Sequence, residues 1–179
     1  MEPIRLIEKY CEGNPELLHV LLVHSQKVAD MALRIAGRHK ELHLDEQFVY
    51  EAAMLHDVGI VKTDAPGIFC RGTEHYLRHG LLGGEMLRAE GLPRHARVAE
   101  RHTGTGLTAK SIIEQGLPLP PIDLQPETLE EQLICYADKF YSKTHLEREK
   151  TYEQVRKSLL RFGEDGLQIF DRWYAMFGV

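Results

Sequence analysis

The sequence predicts an all-α protein that forms a single domain. Apolar residues recur at three- and four-residue steps, which is the spacing of one helix face. Residues that favour helix N-termini precede several of these runs, and no segment shows the two-residue alternation of a strand. A chain of 179 residues is long enough for one domain with a sizeable core.

Capping residues and helical spacing indicate where the helices lie. Asn14 is a predicted N-cap, with Pro15 at the first helical position. Asp45 is a second predicted N-cap, and Gly59 is a plausible C-terminal glycine for the helix that Asp45 begins. Residues 60–74 are expected to be irregular. The predicted helices cover about residues 3–11, 14–40, 45–59, 79–90 (or 76–90), 93–102, 109–115, 128–140 and 147–177. The last of them is expected to be interrupted by glycine near Gly163 and Gly166.

Composition excludes several classes of protein. The formal net charge is −5 and the sequence has no basic run, so a nucleic-acid polymer is not the expected partner. The apolar stretch at residues 17–23 is too short to cross a bilayer, and no membrane association is expected. The three cysteines are widely spaced and form no disulfide framework. A reducing cytoplasm is the expected compartment, and a monomer or homodimer is the expected assembly. The net charge does not exclude a small phosphorylated partner.

Several ionisable residues occur in apolar helical settings. His24 shares its helix face with Leu, Val, Met and Ile residues, and a satisfied core histidine is the alternative to a metal ligand. His56 and Asp57 follow an apolar helix, where a capped helix end is the alternative. Asp138 lies in the apolar segment Leu-Ile-Cys-Tyr-Ala-Asp-Lys-Phe, and a buried aspartate needs a partner.

Taken together, these residues form an ordered set with two further histidines. The order is His24, His56-Asp57, His79, His102 and Asp138. It resembles the HD superfamily of metal-dependent phosphohydrolases over about residues 17–143. The segments His-Asp-Val-Gly, His-Gly-Leu-Leu-Gly-Gly-Glu-Met-Leu-Arg and Arg-His-Thr-Gly resemble the small stand-alone HDIG-type proteins. They are also similar to the diadenosine tetraphosphate hydrolase branch and to the catalytic core of cyclic-di-GMP phosphodiesterases.

The resemblance implies an HD-domain helical bundle, on which a C-terminal helix at about 147–177 packs, and a dinuclear centre. The first of two divalent transition metal ions would be held by His24, His56, Asp57 and Asp138. His79 and His102 would hold the second ion, and Asp57 would bridge the two. Iron or manganese is the expected metal, with cobalt, nickel, zinc or magnesium as alternatives.

The activity implied by the resemblance is the hydrolysis of a phosphate ester by metal-activated water, with His56 and Asp57 as catalytic residues. The enzyme would be a phosphomonoesterase or a phosphodiesterase, and its substrate a nucleotide or dinucleotide. Ile60 occupies the position of a lysine in the cyclic-di-GMP branch, and the Gly-Tyr-Pro signature of that branch is missing. Cyclic-di-GMP is therefore not the expected substrate. The candidate substrate-binding residues are Lys62, His75, Arg101, Lys139 and Lys143.

Two other functions share this order of ligands. One is a di-iron oxygenase, because some proteins similar to the HD family use the same ligands to oxidise organophosphonates or inositol. The other is a non-catalytic, metal-binding regulatory module. Ligand order does not separate the oxygenase from the hydrolase, because redox chemistry depends on the metal and on the groups around its ligands.

Overall fold

A computed structural model of the chain describes residues 2–178 and confirms the all-α prediction. Helices dominate, and short 3₁₀ turns connect several of them. The described residues form nine α-helices: α1 (Pro3–Tyr10), α2 (Pro15–Arg38), α3 (Glu46–Leu55), α4 (His79–Ala89), α5 (Pro93–Arg101), α6 (Ala109–Glu114), α7 (Leu129–Asp138), α8 (Tyr152–Leu160) and α9 (Glu164–Phe177).

The helices begin at the capping residues that the sequence contains. The Asn14 side chain accepts a hydrogen bond from the backbone N–H of Leu17 at the start of α2. The Asp45 side chain accepts one from the N–H of Phe48 at the start of α3. Each cap satisfies an N–H that has no partner within its helix, and such caps stabilise a helix by about 1 kcal/mol. These caps fix where α2 and α3 begin, and so set the register of the residues they carry.

Helix α2 lies at the centre of the fold and packs against α3 and α7. Its buried face combines apolar side chains such as Leu21, Val28 and Ile35 with the predicted His24. Apolar residues therefore line the inner faces of the helices, in keeping with the amphipathic pattern. Within residues 2–178, no helix has both the length and the apolar character needed to cross a membrane.

A short β-ribbon interrupts the helices, although the sequence indicates no strand. Strand β1 (Asp64–Ala65) pairs antiparallel with β2 (Cys70–Arg71) in the segment that was expected to be irregular. Two-residue strands are too short to show a two-residue alternation, which explains why no pattern predicts them. The ribbon matters to the site because Ala65 and Ile68, in and between its strands, border the cavity described below.

The C-terminal helix was predicted to begin at about 147 with a glycine interruption near Gly163 and Gly166; the interruption is confirmed at Gly163, but the start is wrong and the interruption separates two helices. Helix α8 begins only after Thr151, whose side chain and that of Gln154 form a capping box. It ends at Leu160, and Gly163 adopts a positive φ of 113° before α9 begins. Helix α9 packs on α7, with Phe170 stacked on the buried Tyr136. The C-terminal segment therefore forms two helices rather than one.

A backbone-to-backbone contact locks helix α4 against the turn that follows Asp57. A Cβ atom on Gly59 would lie 2.0 Å from the carbonyl oxygen of His79 and 2.4 Å from the backbone nitrogen of Gly83. Only glycine permits this approach, because neither backbone atom can rotate away. The contact therefore sets the distance between Asp57 and His79.

We predict that Gly59→Ala destabilises the protein by about 1–3 kcal/mol, the usual range for overpacking a well-packed interior. Gly37→Ala is the matched control, because its added Cβ would meet nothing within 4 Å in α2. The control should raise stability by about 1 kcal/mol, the helix propensity difference. Urea denaturation followed by circular dichroism measures both. Equal stability of Gly59→Ala and the wild type would show that α4 does not depend on this contact.

Candidate metal centre

The six predicted ligands meet where several helices end. His56 follows the last residue of α3, and Asp57 comes next in the chain. His102 follows the last residue of α5, and Asp138 is the last residue of α7. The C-terminal end of a helix carries partial negative charge, so three helix ends favour a cation at this point. His79, at the start of α4, and His24, within α2, complete the set.

The first group of donors surrounds one oxygen of Asp57. The Nε2 atom of His24 lies 3.1 Å from Asp57 Oδ2 and 3.0 Å from Asp138 Oδ1. The Nε2 atom of His56 lies 3.1 Å from Asp57 Oδ2 and 3.4 Å from Asp138 Oδ1. All four side chains are buried. Neighbouring donors around an octahedral ion at about 2.1 Å lie about 3 Å apart, so this spacing suits a single metal ion.

The second group surrounds the other oxygen of Asp57. The Nε2 atoms of His79 and His102 lie 3.0 Å from each other. They lie 3.5 Å and 3.3 Å, respectively, from Asp57 Oδ1. Each oxygen of the Asp57 carboxylate therefore faces a different group of donors. This is the arrangement that a bridging carboxylate requires.

The same type of backbone contact fixes the orientation of three of the imidazole rings. The Nδ1 atoms of His56, His79 and His102 lie 2.6–2.7 Å from the carbonyl oxygens of residues three positions earlier. A carbonyl can only accept a hydrogen bond, so each Nδ1 carries the proton. A neutral ring then presents a lone pair at Nε2, which is the form that binds a metal.

The second group fits a cation because its two lone pairs face each other. Burial, and the repulsion that two protonated rings would exert on each other, lower the pKa of His79 to about 3, and burial also lowers the pKa of His102. Both rings are therefore neutral at pH 7, with their Nε2 lone pairs 3.0 Å apart. Two lone pairs at this distance repel unless a cation lies between them. The donor set of imidazoles and carboxylates fits a divalent transition metal ion.

The first group carries negative charge deep inside the protein. Burial raises the pKa of Asp57, but the charges of Lys143 and His56 outweigh this effect and hold that pKa well below its usual range. Burial lowers the pKa of His56, but the charge of Asp57 and contacts with Asp138 raise it to about 10. A proton on His56 can therefore balance part of the carboxylate charge. A metal ion would displace that proton.

Two lysines connect the centre to its surroundings. Lys139 Nζ lies 2.8 Å from Asp138 Oδ2 and donates a 2.9 Å hydrogen bond to the carbonyl oxygen of His102. It thereby ties a ligand of the first group to a ligand of the second. Lys143 Nζ lies 2.7 Å from Asp57 Oδ2. Both ammonium groups lie beside carboxylates that face the metal centre.

A cavity of about 490 Å³ opens beside the first group, and Asp138, Lys139 and Lys143 lie in its wall. Tyr76 also lines the cavity, and its ring stacks on that of His79 with 4.8 Å between centroids. The volume is within the usual range for sites that bind small molecules. The candidate centre therefore lies next to a cavity large enough for a small ligand.

The comparison with known families agrees with this geometry. The HD domain family matches residues 21–143, which include all six residues of the centre. The chain belongs to the HD-domain family. HD domains bind divalent metal ions and are generally metal-dependent hydrolases.

Several curated proteins are similar in sequence to this HD-domain protein. An uncharacterised protein of Methanocaldococcus jannaschii is 32% identical over 163 residues, which are 90% of this chain and 85% of that protein. The tRNA (cytidine(56)-2'-O)-methyltransferases of Thermoplasma volcanium and Picrophilus torridus are each 32% identical over 123 and 124 residues. The match covers 68–69% of this chain and 32% of each methyltransferase. No solved structure matches the chain. None of these relatives supports the diadenosine tetraphosphate hydrolase branch.

Three predicted substrate-binding residues of the HD protein lie elsewhere. The described residues that line the cavity do not include Lys62, His75 or Arg101. The exposed His75 accepts a hydrogen bond from the N–H of Leu77, so it caps a 3₁₀ turn instead of sharing a helix face with His79. Arg101 donates to the carbonyl oxygen of Gln125 and so anchors a loop. Lys62 is exposed. Adjacency in the sequence to His79 and His102 was therefore a poor guide to the cavity.

Sequence reasoning missed part of the cavity wall. Lys150, Val155, Ser158 and Leu159 line it and lie beyond the segment that the HD domain family matches. The apolar residues of α8 recur at positions 155 and 159, which predicts only that they are buried. No local pattern shows that they face the metal centre.

We predict that Asp57→Asn lowers the binding of both metal ions, whereas His79→Ala removes the second ion and spares the first. Asp57 faces both groups of donors, and His79 belongs to only one. His19→Ala is the control, because this histidine is exposed on α2. Elemental mass spectrometry of the purified variants measures metal per chain. Wild-type stoichiometry in both Asp57→Asn and His79→Ala would contradict the shared-ligand arrangement.

Proposed function

We propose that this chain is a metal-dependent phosphohydrolase that cleaves a small phosphate ester, with a nucleotide or dinucleotide as the substrate class. The observation that carries the proposal is the position of the donor groups. Two groups share Asp57, and the first of them borders a lysine-lined cavity of ligand size. Hydrolysis of phosphate esters needs positive charge at the phosphoryl group and an activated water, and this arrangement provides places for both.

Two divalent ions, with iron or manganese as the first candidates, would be held by the two groups of donors. When bound, such ions make water acidic enough to attack phosphorus near neutral pH and offset negative charge on the phosphoryl oxygens. The chain supplies the rest. Asp57 and His56 hold the reacting centre, and the i−3 carbonyl contact keeps the His56 ring in the ligating orientation.

Lys143 is the principal substrate-binding group of this proposal, and Lys139 lies beside it in the cavity wall. Lys143 lines the cavity, and its Nζ atom lies 2.7 Å from Asp57 Oδ2. Its ammonium group therefore contacts both the cavity and the metal centre. A phosphoryl oxygen bound at the centre would come within reach of this ammonium group. Lys139 is held by the His102 carbonyl and Asp138, and so positions the ligands more than it binds the substrate.

Charge distribution favours a small anion over a polymer. The chain carries a formal net charge of −5, yet three lysines, Lys139, Lys143 and Lys150, line one cavity. A nucleic-acid polymer needs an extended basic surface, whereas a small phosphate ester needs only a local one. The small ester therefore suits this chain better than the tRNA on which the two methyltransferase relatives are named to act.

We predict that Lys143→Met lowers kcat/KM for the hydrolysed ester by about 10²-fold, the usual effect of removing one group that stabilises transition-state charge. Lys110→Met is the control, because this exposed lysine pairs only with Glu114 in the described structure. The assay measures release of phosphate or nucleotide from a panel of mononucleotides and dinucleotides with added manganese or iron. Metal content of each variant is measured in parallel.

Three outcomes would contradict the proposal. The first is a metal-loaded protein that binds two ions and hydrolyses no ester in the panel. The second is full activity of Lys143→Met with full metal content. Alternatively, substrate-dependent oxygen consumption by the iron form, without phosphate release, would identify an oxygenase.

A further inference from the structure

The cavity contains a third lysine that the metal centre does not use. Lys150 lies in the segment between α7 and α8, beyond the residues that the HD domain family matches. Its backbone N–H donates a 2.8 Å hydrogen bond to the carbonyl oxygen of Phe140, which anchors the segment close to the end of α7. Its side chain lines the same cavity as Lys143.

Lys150 differs from the other two lysines in its charge partners. Lys139 and Lys143 each lie within 3 Å of a carboxylate oxygen. Among the described residues, no carboxylate oxygen lies within 4.0 Å of Lys150 Nζ, although the side chain is half-buried. The charged groups that act on it are the carboxylate of Asp138, which is already paired with Lys139, and the ammonium groups of Lys139 and Lys143. Because Asp138 pairs directly with Lys139, the half-buried ammonium group of Lys150 has no carboxylate of its own among the described residues, and an anion bound in the cavity would stabilise it.

We infer that Lys150 binds a second phosphate group of the substrate, so that the substrate class is an organic ester with at least two phosphate groups. The inference rests on the proposed function, which places the phosphate that is cleaved at the metal centre beside Lys143. Lys150 then receives the next phosphate along the same cavity. Ile68, Val155 and Leu159 line the cavity as well and give an apolar surface for the organic part.

The position of Lys150 makes it a specificity determinant rather than a part of the metal centre. A substrate with one phosphate would leave its ammonium group unpaired, whereas a second phosphate would form a charge-assisted hydrogen bond with it. Bisphosphate and diphosphate esters should therefore bind more tightly than monophosphates of the same organic part. This preference belongs to a segment outside the HD-domain match.

Isothermal titration calorimetry with two small probes tests the inference. Methylenediphosphonate carries two phosphonate groups and methylphosphonate carries one, and neither has a phosphate ester bond to hydrolyse. Both are titrated into manganese-loaded protein, with equal free manganese in cell and syringe. The wild type should bind methylenediphosphonate about tenfold or more tightly than methylphosphonate, and Lys150→Ala should lose most of this preference.

Two further variants separate charge from structure. Lys150→Arg keeps the positive charge and should keep the preference, and Lys157→Ala, an exposed position on α8, should match the wild type. Thermal unfolding of Lys150→Ala should show no loss of stability, because the side chain has no carboxylate partner among the described residues. Lower preference in Lys157→Ala as well would indicate a general charge effect and overturn the inference.

The outcomes for the subsite and for the proposed function are distinguishable. Equal affinity of the wild type for the two probes, or an unchanged preference in Lys150→Ala, would overturn the role of Lys150 even if the protein hydrolyses phosphate esters. A Lys150-dependent preference in a protein that hydrolyses no ester would leave the subsite in place and remove the hydrolase proposal. Binding does not require turnover, so neither result depends on the other.

Discussion

The fold depends on one buried carboxylate that faces two ways. Asp57 is fully buried, with one oxygen toward His24 and His56 and the other toward His79 and His102. Burying a charge is unfavourable unless opposite charge or hydrogen-bond donors surround it. The ends of α3, α5 and α7 meet at this point, and Lys143 contacts the same carboxylate. The ends of these three helices therefore surround Asp57.

Close backbone contacts fix the distances and orientations of the side chains around Asp57. Gly59 lies two residues after Asp57 and approaches α4 so closely that no side chain fits between them. The carbonyl contacts at the Nδ1 atoms then fix the ring orientations. Together these contacts hold the donors about 3 Å apart, the spacing of neighbouring ligands around one ion. The acidic remainder of the chain leaves positive charge concentrated in the adjacent cavity.

Local sequence signals predicted the elements that depend on local interactions. Asn14 and Asp45 cap helices because the groups involved are three residues apart, and the apolar spacing of α2 showed that His24 points inward. The six centre residues were found from their order along the chain, and the structure brings all six together. Lys150 lines the cavity whereas Lys62, His75 and Arg101 do not, and no local pattern indicates this, because the cavity forms from segments distant in sequence. The start of α8 was also misjudged, although Thr151 and Gln154 are a capping pair that the sequence shows.

Anomalous diffraction from crystals of the manganese-loaded protein tests the shared role of Asp57 most directly. The account predicts two peaks about 3.5–4 Å apart, the usual separation in two-metal sites, one on each side of the Asp57 carboxylate. One peak should lie among His24, His56 and Asp138, and the other beside His79 and His102. A single peak, or two peaks of which one is not bound by Asp57, would contradict the account.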